Sequence, residues 1–205
     1  MGAPGSGKSA YIKQRIRVEK PRRLIIFDPQ GEYTEHGRPM ATVQGVLEAA
    51  KAPAFKVAFQ PAGDIEAQRS QFDVLCRIAY AAGDCWLVAE ELATVTKAGS
   101  APAGWTVATL KGRHKGMVIF GASQRPAAVD KNFWGNATLI RTGRLNFEGD
   151  VKTLANVLAV KPADIINLTP LEFIERDMQT GRAHRGRLKL GGQAPPIAKS
   201  SKAGQ

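Results

Sequence analysis

Gly2-Ala-Pro-Gly-Ser-Gly-Lys8-Ser9, at the start of a 205-residue chain, fits the spacing G-x-x-x-x-G-K-[ST]. Each residue type in it has a physical task in holding a triphosphate. Glycines permit the backbone turns that aim successive amide N–H groups inward at phosphate oxygens, and the helix that follows adds its positive end. Lys8 reaches the β- and γ-phosphates, and the Ser9 hydroxyl is offered to magnesium. Gly2, Ala3, Pro4, Gly5, Ser6, Gly7, Lys8 and Ser9 are therefore the expected binding residues for ATP and Mg2+. A loop of this kind normally follows a buried strand, yet only Met1 precedes Gly2. The expectation is a natural chain that begins upstream, a missing first strand, and a loop whose N-terminal end is untethered beside unpaired strand edges.

Further along, apolar runs bounded by turn residues recur at Leu24–Phe27, Phe55–Phe59, Trp86–Ala89, Met117–Ala122 and Thr138–Arg141, and read as short buried strands. Between them, Ala10–Val18, Val46–Lys51, Ile65–Ala82, Thr106–His114 and Val129–Gly135 carry helical spacing. This alternation predicts an α/β fold, a mostly parallel sheet flanked by helices on both faces. Past Arg141 the pattern changes. Asp150–Val160 predicts a helix, and Glu172–Asp177 with His184–Leu190 predict a β-hairpin closed by Thr180-Gly181. Residues 1–190 thus read as one domain with a hairpin appendage from about residue 172. Residues 191–205, dominated by Gly, Pro, Ala, Ser and Lys, read as a disordered basic tail.

Apolar residues make up 43% of the chain and charged residues 23%, values that allow a buried core. Lysine and arginine total 29 against 18 acids, a net charge of +11 that steers polyanions toward the protein. Nucleic acid is the first partner to consider; charge that only maintains solubility is the plain alternative. Cys76 and Cys85 are too few for a disulfide framework or a zinc site and read as reduced core residues. No apolar run approaches the roughly 20 residues of a membrane span, so the expected location is cytoplasmic, without stable membrane insertion.

Cys85-Trp-Leu-Val-Ala-Glu90-Glu91 is an apolar strand ending in two acids. Such an end can hold magnesium beside the phosphates and polarise a water: Glu90 supports the metal, and Glu91 is the base that orients water for in-line attack on the γ-phosphate. Taken alone, an acidic pair at a strand end is more often a solvated turn; with the loop upstream, the catalytic reading prevails. Met117-Val-Ile-Phe-Gly-Ala-Ser-Gln124-Arg125-Pro126 is a second such strand. Its Gln124 has the amide geometry to hydrogen-bond the γ-phosphate or the attacking water.

Together these motifs resemble the HerA/FtsK superfamily of ring-forming DNA-pumping ATPases over approximately residues 2–141. Four segments carry the likeness: Leu24-Ile-Ile-Phe-Asp28-Pro29-Gln-Gly31-Glu32-Tyr33, Trp86 to Glu91, Gly112-Arg113-His-Lys-Gly116 with Gly121-Ala-Ser-Gln124-Arg-Pro126, and Asn136 to Arg141. The resemblance implies a RecA-like P-loop fold in which the sensor strand inserts between the loop strand and the Glu90 strand. It implies a homo-oligomeric ring, hexamer or pentamer, with ATP at subunit interfaces and an arginine supplied by the neighbour; Arg113 and Arg141 are the candidates. Small size makes the chain look like the DNA-packaging ATPases of tailless, membrane-containing phages. That likeness implies double-stranded DNA and a capsid vertex protein as partners, and a place in the host cytoplasm or at the packaging vertex. Glu90 departs from the family, where aspartate is commoner.

Arg176, Arg182, His184, Arg185, Arg187 and Lys189 cluster on the expected hairpin, with Lys199 and Lys202 beyond it. They suit either phosphate tracking or a solvated cationic edge strand. The rival functions are a filamentous-phage assembly ATPase, whose relatives generally carry a membrane helix, and a nucleotide-binding regulator with little hydrolysis.

Overall fold

Strands that are apolar along their whole length are buried on both faces, and the computed structural model, which describes residues 1–190, has that arrangement. Strands β1 (Arg23–Phe27), β2 (Arg38–Met40), β3 (Phe55–Phe59), β4 (Trp86–Ala89) and β5 (Val118–Gly121) form one parallel sheet in the order β2-β3-β1-β4-β5. Ile25, Phe27, Val57, Phe59, Leu87 and Ala89 share a core with Phe72, Leu75 and Trp105. The last three come from helices α3 (Ile65–Ala82) and α5 (Ala103–Lys111), while α2 (Val43–Ala50) adds Val46. The intervening residues Leu24, Ile26, Trp86 and Val88 point the other way, onto Ile12 and Ile16 of α1 (Lys8–Glu19). Both cysteines are free and buried in the first of these cores.

Short α4 (Leu92–Val95) follows β4, and α6 (Lys131–Asn136) lies between β5 and β6. A second, antiparallel sheet has the order β6-β7-β8, from β6 (Leu139–Thr142), β7 (Glu172–Asp177) and β8 (Ala183–Arg187). The connection from β6 to β7 carries α7 (Glu148–Leu158) and α8 (Pro162–Ile166). Two expectations about strands change here. The hairpin forms, but the Thr138–Arg141 run joins it and leaves the parallel sheet, whose fifth strand is Arg38–Met40 instead. The reason is visible in burial: along β6 exposed Leu139 precedes buried Ile140, and partly exposed Arg141 precedes buried Thr142, the alternation of a sheet wet on one face. β2 is not legible in the sequence because Arg38-Pro39-Met40 has no apolar run and its proline suits only an edge.

The loop's beginning is held on two sides, contrary to the untethered end expected. Met1 donates to the Arg141 carbonyl at 2.7 Å, Gly143 donates back to the Met1 carbonyl at 2.9 Å, and Ala3 donates to the Arg144 carbonyl at 2.8 Å. On the other side Gly2 donates to the Ser123 carbonyl at 3.2 Å. β5 and the segment after it therefore lie between β4 and the start of the loop, the order implied for the sensor strand. Among the described residues no helix is long and apolar enough to cross a membrane. The expected tail, 191–205, lies outside the described residues.

Candidate active site

Parallel pairing sets Phe27, Ala89 and Gly121 level with one another, so the chain leaves β1, β4 and β5 at one end of the sheet. That is the edge where open α/β sheets bind ligands. The phosphate loop reaches it through left-handed glycines, Gly5 at φ 74° and Gly7 at φ 91°, which an L side chain would strain. Gly7 caps α1, so the positive end of a 12-residue helix faces the site. Packing behind the loop is close: an added Cβ would lie 2.5 Å from Ser6 Oγ at Gly2 and 2.6 Å from Ser6 Cβ at Gly143. Lys8 Nζ donates to the carbonyls of Gly2 at 2.8 Å and Ala3 at 3.2 Å. Burial pushes its pKa down, while Glu91, Glu90 and Glu32 pull the other way.

Glu90 and Glu91 end β4 in different environments. The Glu90 amide donates to Phe27 at 3.1 Å, extending the sheet, and its carboxylate is buried where it accepts from the Tyr33 hydroxyl. Burial raises its pKa; hydrogen bonds with Tyr33 and Ser9 and the charge of Lys8 oppose that rise. Glu91 turns into the left-handed region, φ 48° and ψ 44°, and the next amide, Leu92, donates to Ala122 at 2.8 Å. Holding a non-glycine residue there costs about 1 kcal/mol or more. The turn brings Glu91 Oε1 within 2.7 Å of Gln124 Nε2, its donor. Gln124 is itself placed by α7: buried Asp150 accepts from Arg125 Nε and from the Ala127 amide, both at 2.9 Å.

Lys8, Ser9, Glu90, Glu91 and Gln124 line one cleft of about 190 Å3, together with Pro4, Gly5, Asp28, Gln30 and Glu32. The hydroxyl of Ser9 and the carboxylate of Glu90 are oxygen ligands lining the same cleft, a set that fits a hard divalent cation. The two arginines stand elsewhere. Arg113 is exposed on the 3-10 turn Gly112–Lys115, which enters β5 and so lies at the opposite end of the sheet. The Arg141 side chain is 15% exposed; its Nε donates to Glu175 Oε2 at 2.6 Å, and its guanidinium lies 3.7 Å from the Tyr11 ring centroid and 3.6 Å from that of Phe173. No local pattern assigns a role to Tyr33, Asp28 or Glu32, although their turn carries part of the resemblance. A pairing of Tyr33 with Glu90 spans 57 positions and leaves no local pattern.

Fold and phosphate loop are those of the P-loop NTPase fold, with a five-stranded parallel core and a C-terminal antiparallel sheet. No protein-family model matches the chain. It is 26% identical over 173 residues to Protein P9 of Pseudoalteromonas phage PM2, covering 82% of this chain and 77% of that one. Among solved structures it is similar to the genome packaging NTPase B204 of Sulfolobus turreted icosahedral virus 2 in complex with AMPPCP. There the TM-score is 0.71 at 15% identity, over 92% of this chain and 95% of B204. The plasmid coupling protein TrwB in complex with the non-hydrolysable GTP analogue GDPNP superposes with a TM-score of 0.54 at 17% identity, over 73% of this chain and 44% of TrwB. These neighbours have the fold that the HerA/FtsK resemblance implies.

Proposed function

We propose that this chain is an ATP-hydrolysing motor that translocates double-stranded DNA, packaging a viral genome into a capsid from a homo-oligomeric ring. The observation that carries this reading is the single cleft shared by Lys8, Ser9, Glu90, Glu91 and Gln124. Lys8 exchanges its two loop carbonyls for the β- and γ-phosphate oxygens, to which the loop amides and the α1 dipole also point. Ser9 and Glu90 would hold Mg2+, which when bound would neutralise charge on the phosphate oxygens. Glu91, freed from Gln124, accepts a proton from the attacking water while the Gln124 amide turns to the γ-phosphate. Arg113, exposed and remote from its own loop, is the arginine given to a neighbour. Arg141 is occupied within its own subunit.

The DNA-handling role is supported by the net charge of +11 and by the packaging and coupling functions that the names of B204 and TrwB state. Double-stranded DNA is the substrate, a capsid vertex protein the docking partner, and the host cytoplasm or the packaging vertex the place of action. Measuring ATP turnover with and without duplex DNA tests the proposal. The expected result is several-fold stimulation that weakens as salt rises, because phosphate contacts release counterions. Turnover indifferent to DNA at low salt contradicts a motor, and no turnover under any condition supports a regulator instead.

A further inference from the structure

We propose that Tyr33 is a positioning residue of the cation site: its hydroxyl holds the Glu90 carboxylate, at the end of β4, in place beside Ser9, in the first turn of α1, for a Mg2+–nucleotide. The proposal rests on the ATPase reading above and concerns the same cleft. Tyr33 is fully buried, yet its hydroxyl is aimed at a carboxylate instead of solvent. A ring needed only for packing would be served by phenylalanine.

The pose is built with unusual backing. Asp28, 1% exposed, follows β1 and spends its carboxylate on the turn that carries Tyr33: Oδ1 accepts from the Glu32 amide and Oδ2 from the Tyr33 amide, both at 2.9 Å. Gly31, at φ 69°, allows that turn, and a Cβ there would lie 2.4 Å from Gln60 Nε2. From α1, Lys13 Nζ sits 4.9 Å from the ring centroid, and Ile12 and Ile16 belong to the same apolar cluster as the ring. Tyr33 Oη donates to Glu90 Oε1, and Glu90 lines the same cleft as Ser9. The hydroxyl therefore joins β1's turn to β4 while the ring packs on α1, the three elements whose relative placement sets the cation's protein ligands. Partners of this kind orient metal-binding groups, and their loss typically weakens metal binding about 10- to 100-fold.

Tyr33→Phe in the full chain removes the hydroxyl and keeps the ring. Mn2+ binding is read by its electron paramagnetic resonance signal in the presence of a non-hydrolysable ATP analogue, and nucleotide binding is read separately in EDTA. The expected result is a Mn2+ half-saturation raised about tenfold, with metal-free nucleotide affinity changed less than about twofold. Unchanged Mn2+ binding, or an equal fall in both affinities, overturns the proposal. Glu90→Gln with and without Tyr33→Phe closes the cycle and also removes the buried charge that could unfold the single variant. If Tyr33 acts through Glu90, the second change adds little; a full additional tenfold loss overturns it. Wild-type protein that binds nucleotide without any Mn2+ dependence would sink the underlying site reading as well, whereas a Mn2+-dependent wild type with an indifferent Tyr33→Phe sinks only the role of Tyr33.

Discussion

Ser6 is the residue on which the loop's shape is wedged. Its side chain fills the space left by two glycines, and its buried hydroxyl has no hydrogen-bond partner among the described residues. A methyl group at Gly143 would enter that space 2.6 Å from Ser6 Cβ. Overpacking of this kind costs roughly 1–3 kcal/mol, and here the strain falls on the phosphate-binding backbone. Gly143→Ala is expected to weaken ATP affinity about tenfold with a smaller loss of thermal stability, measured by calorimetric titration beside a melting curve. An affinity equal to wild type would show that the loop does not depend on this contact. At this scale the sequence was most readable for the loop, because G-x-x-x-x-G-K-[ST] is a local pattern whose eight residues act as neighbours. Gly143 and Tyr33 were not readable, since their partners lie far away along the chain.

Among elements, the join between α1 and the second sheet governs how the loop is supported. Arg141 on β6 pairs with Glu175 on β7, and its guanidinium packs between Tyr11 of α1 and Phe173 of β7. Glu175 is 7% exposed, so losing Arg141 leaves a nearly buried charge without this partner. Arg141→Ala is expected to destabilise the fold by about 3 kcal/mol, read from denaturant midpoints; a change below about 0.5 kcal/mol would mean the pair behaves as an exposed one. The expected strands of the parallel core are legible at β1, β3, β4 and β5 because each carries a largely apolar run, buried on both faces at β1 and β4, interrupted by exposed Lys56 at β3 and half-buried at β5. β2 and β6 are not, one being a proline-bearing edge and the other wet on one face. Helices α4 and α8 are four and five residues long, too short to carry a period.

At the scale of the whole molecule, the phosphate loop and Arg113 occupy opposite ends of the sheet, which suits subunits that complete one another's sites. Arg113→Ala is expected to keep ATP binding while turnover falls by about a thousandfold. Mixing it with Lys8→Ala protein should restore part of the activity, since Lys8→Ala subunits bring a normal Arg113 to intact loops. Mixtures no more active than their parts would place catalysis within single subunits. The proposed ring has no mark in composition or periodicity; the resemblance alone implies it.

All of this depends on Lys8, the loop amides and Glu91 acting on one triphosphate. The most direct measurement is ATP binding and hydrolysis by Glu91→Gln side by side with wild type. The variant keeps the shape of the side chain and its hydrogen bond with Gln124 but cannot take a proton, so nucleotide affinity should stay within a few-fold while hydrolysis falls about a hundredfold or more. Hydrolysis within twofold of wild type would contradict the account.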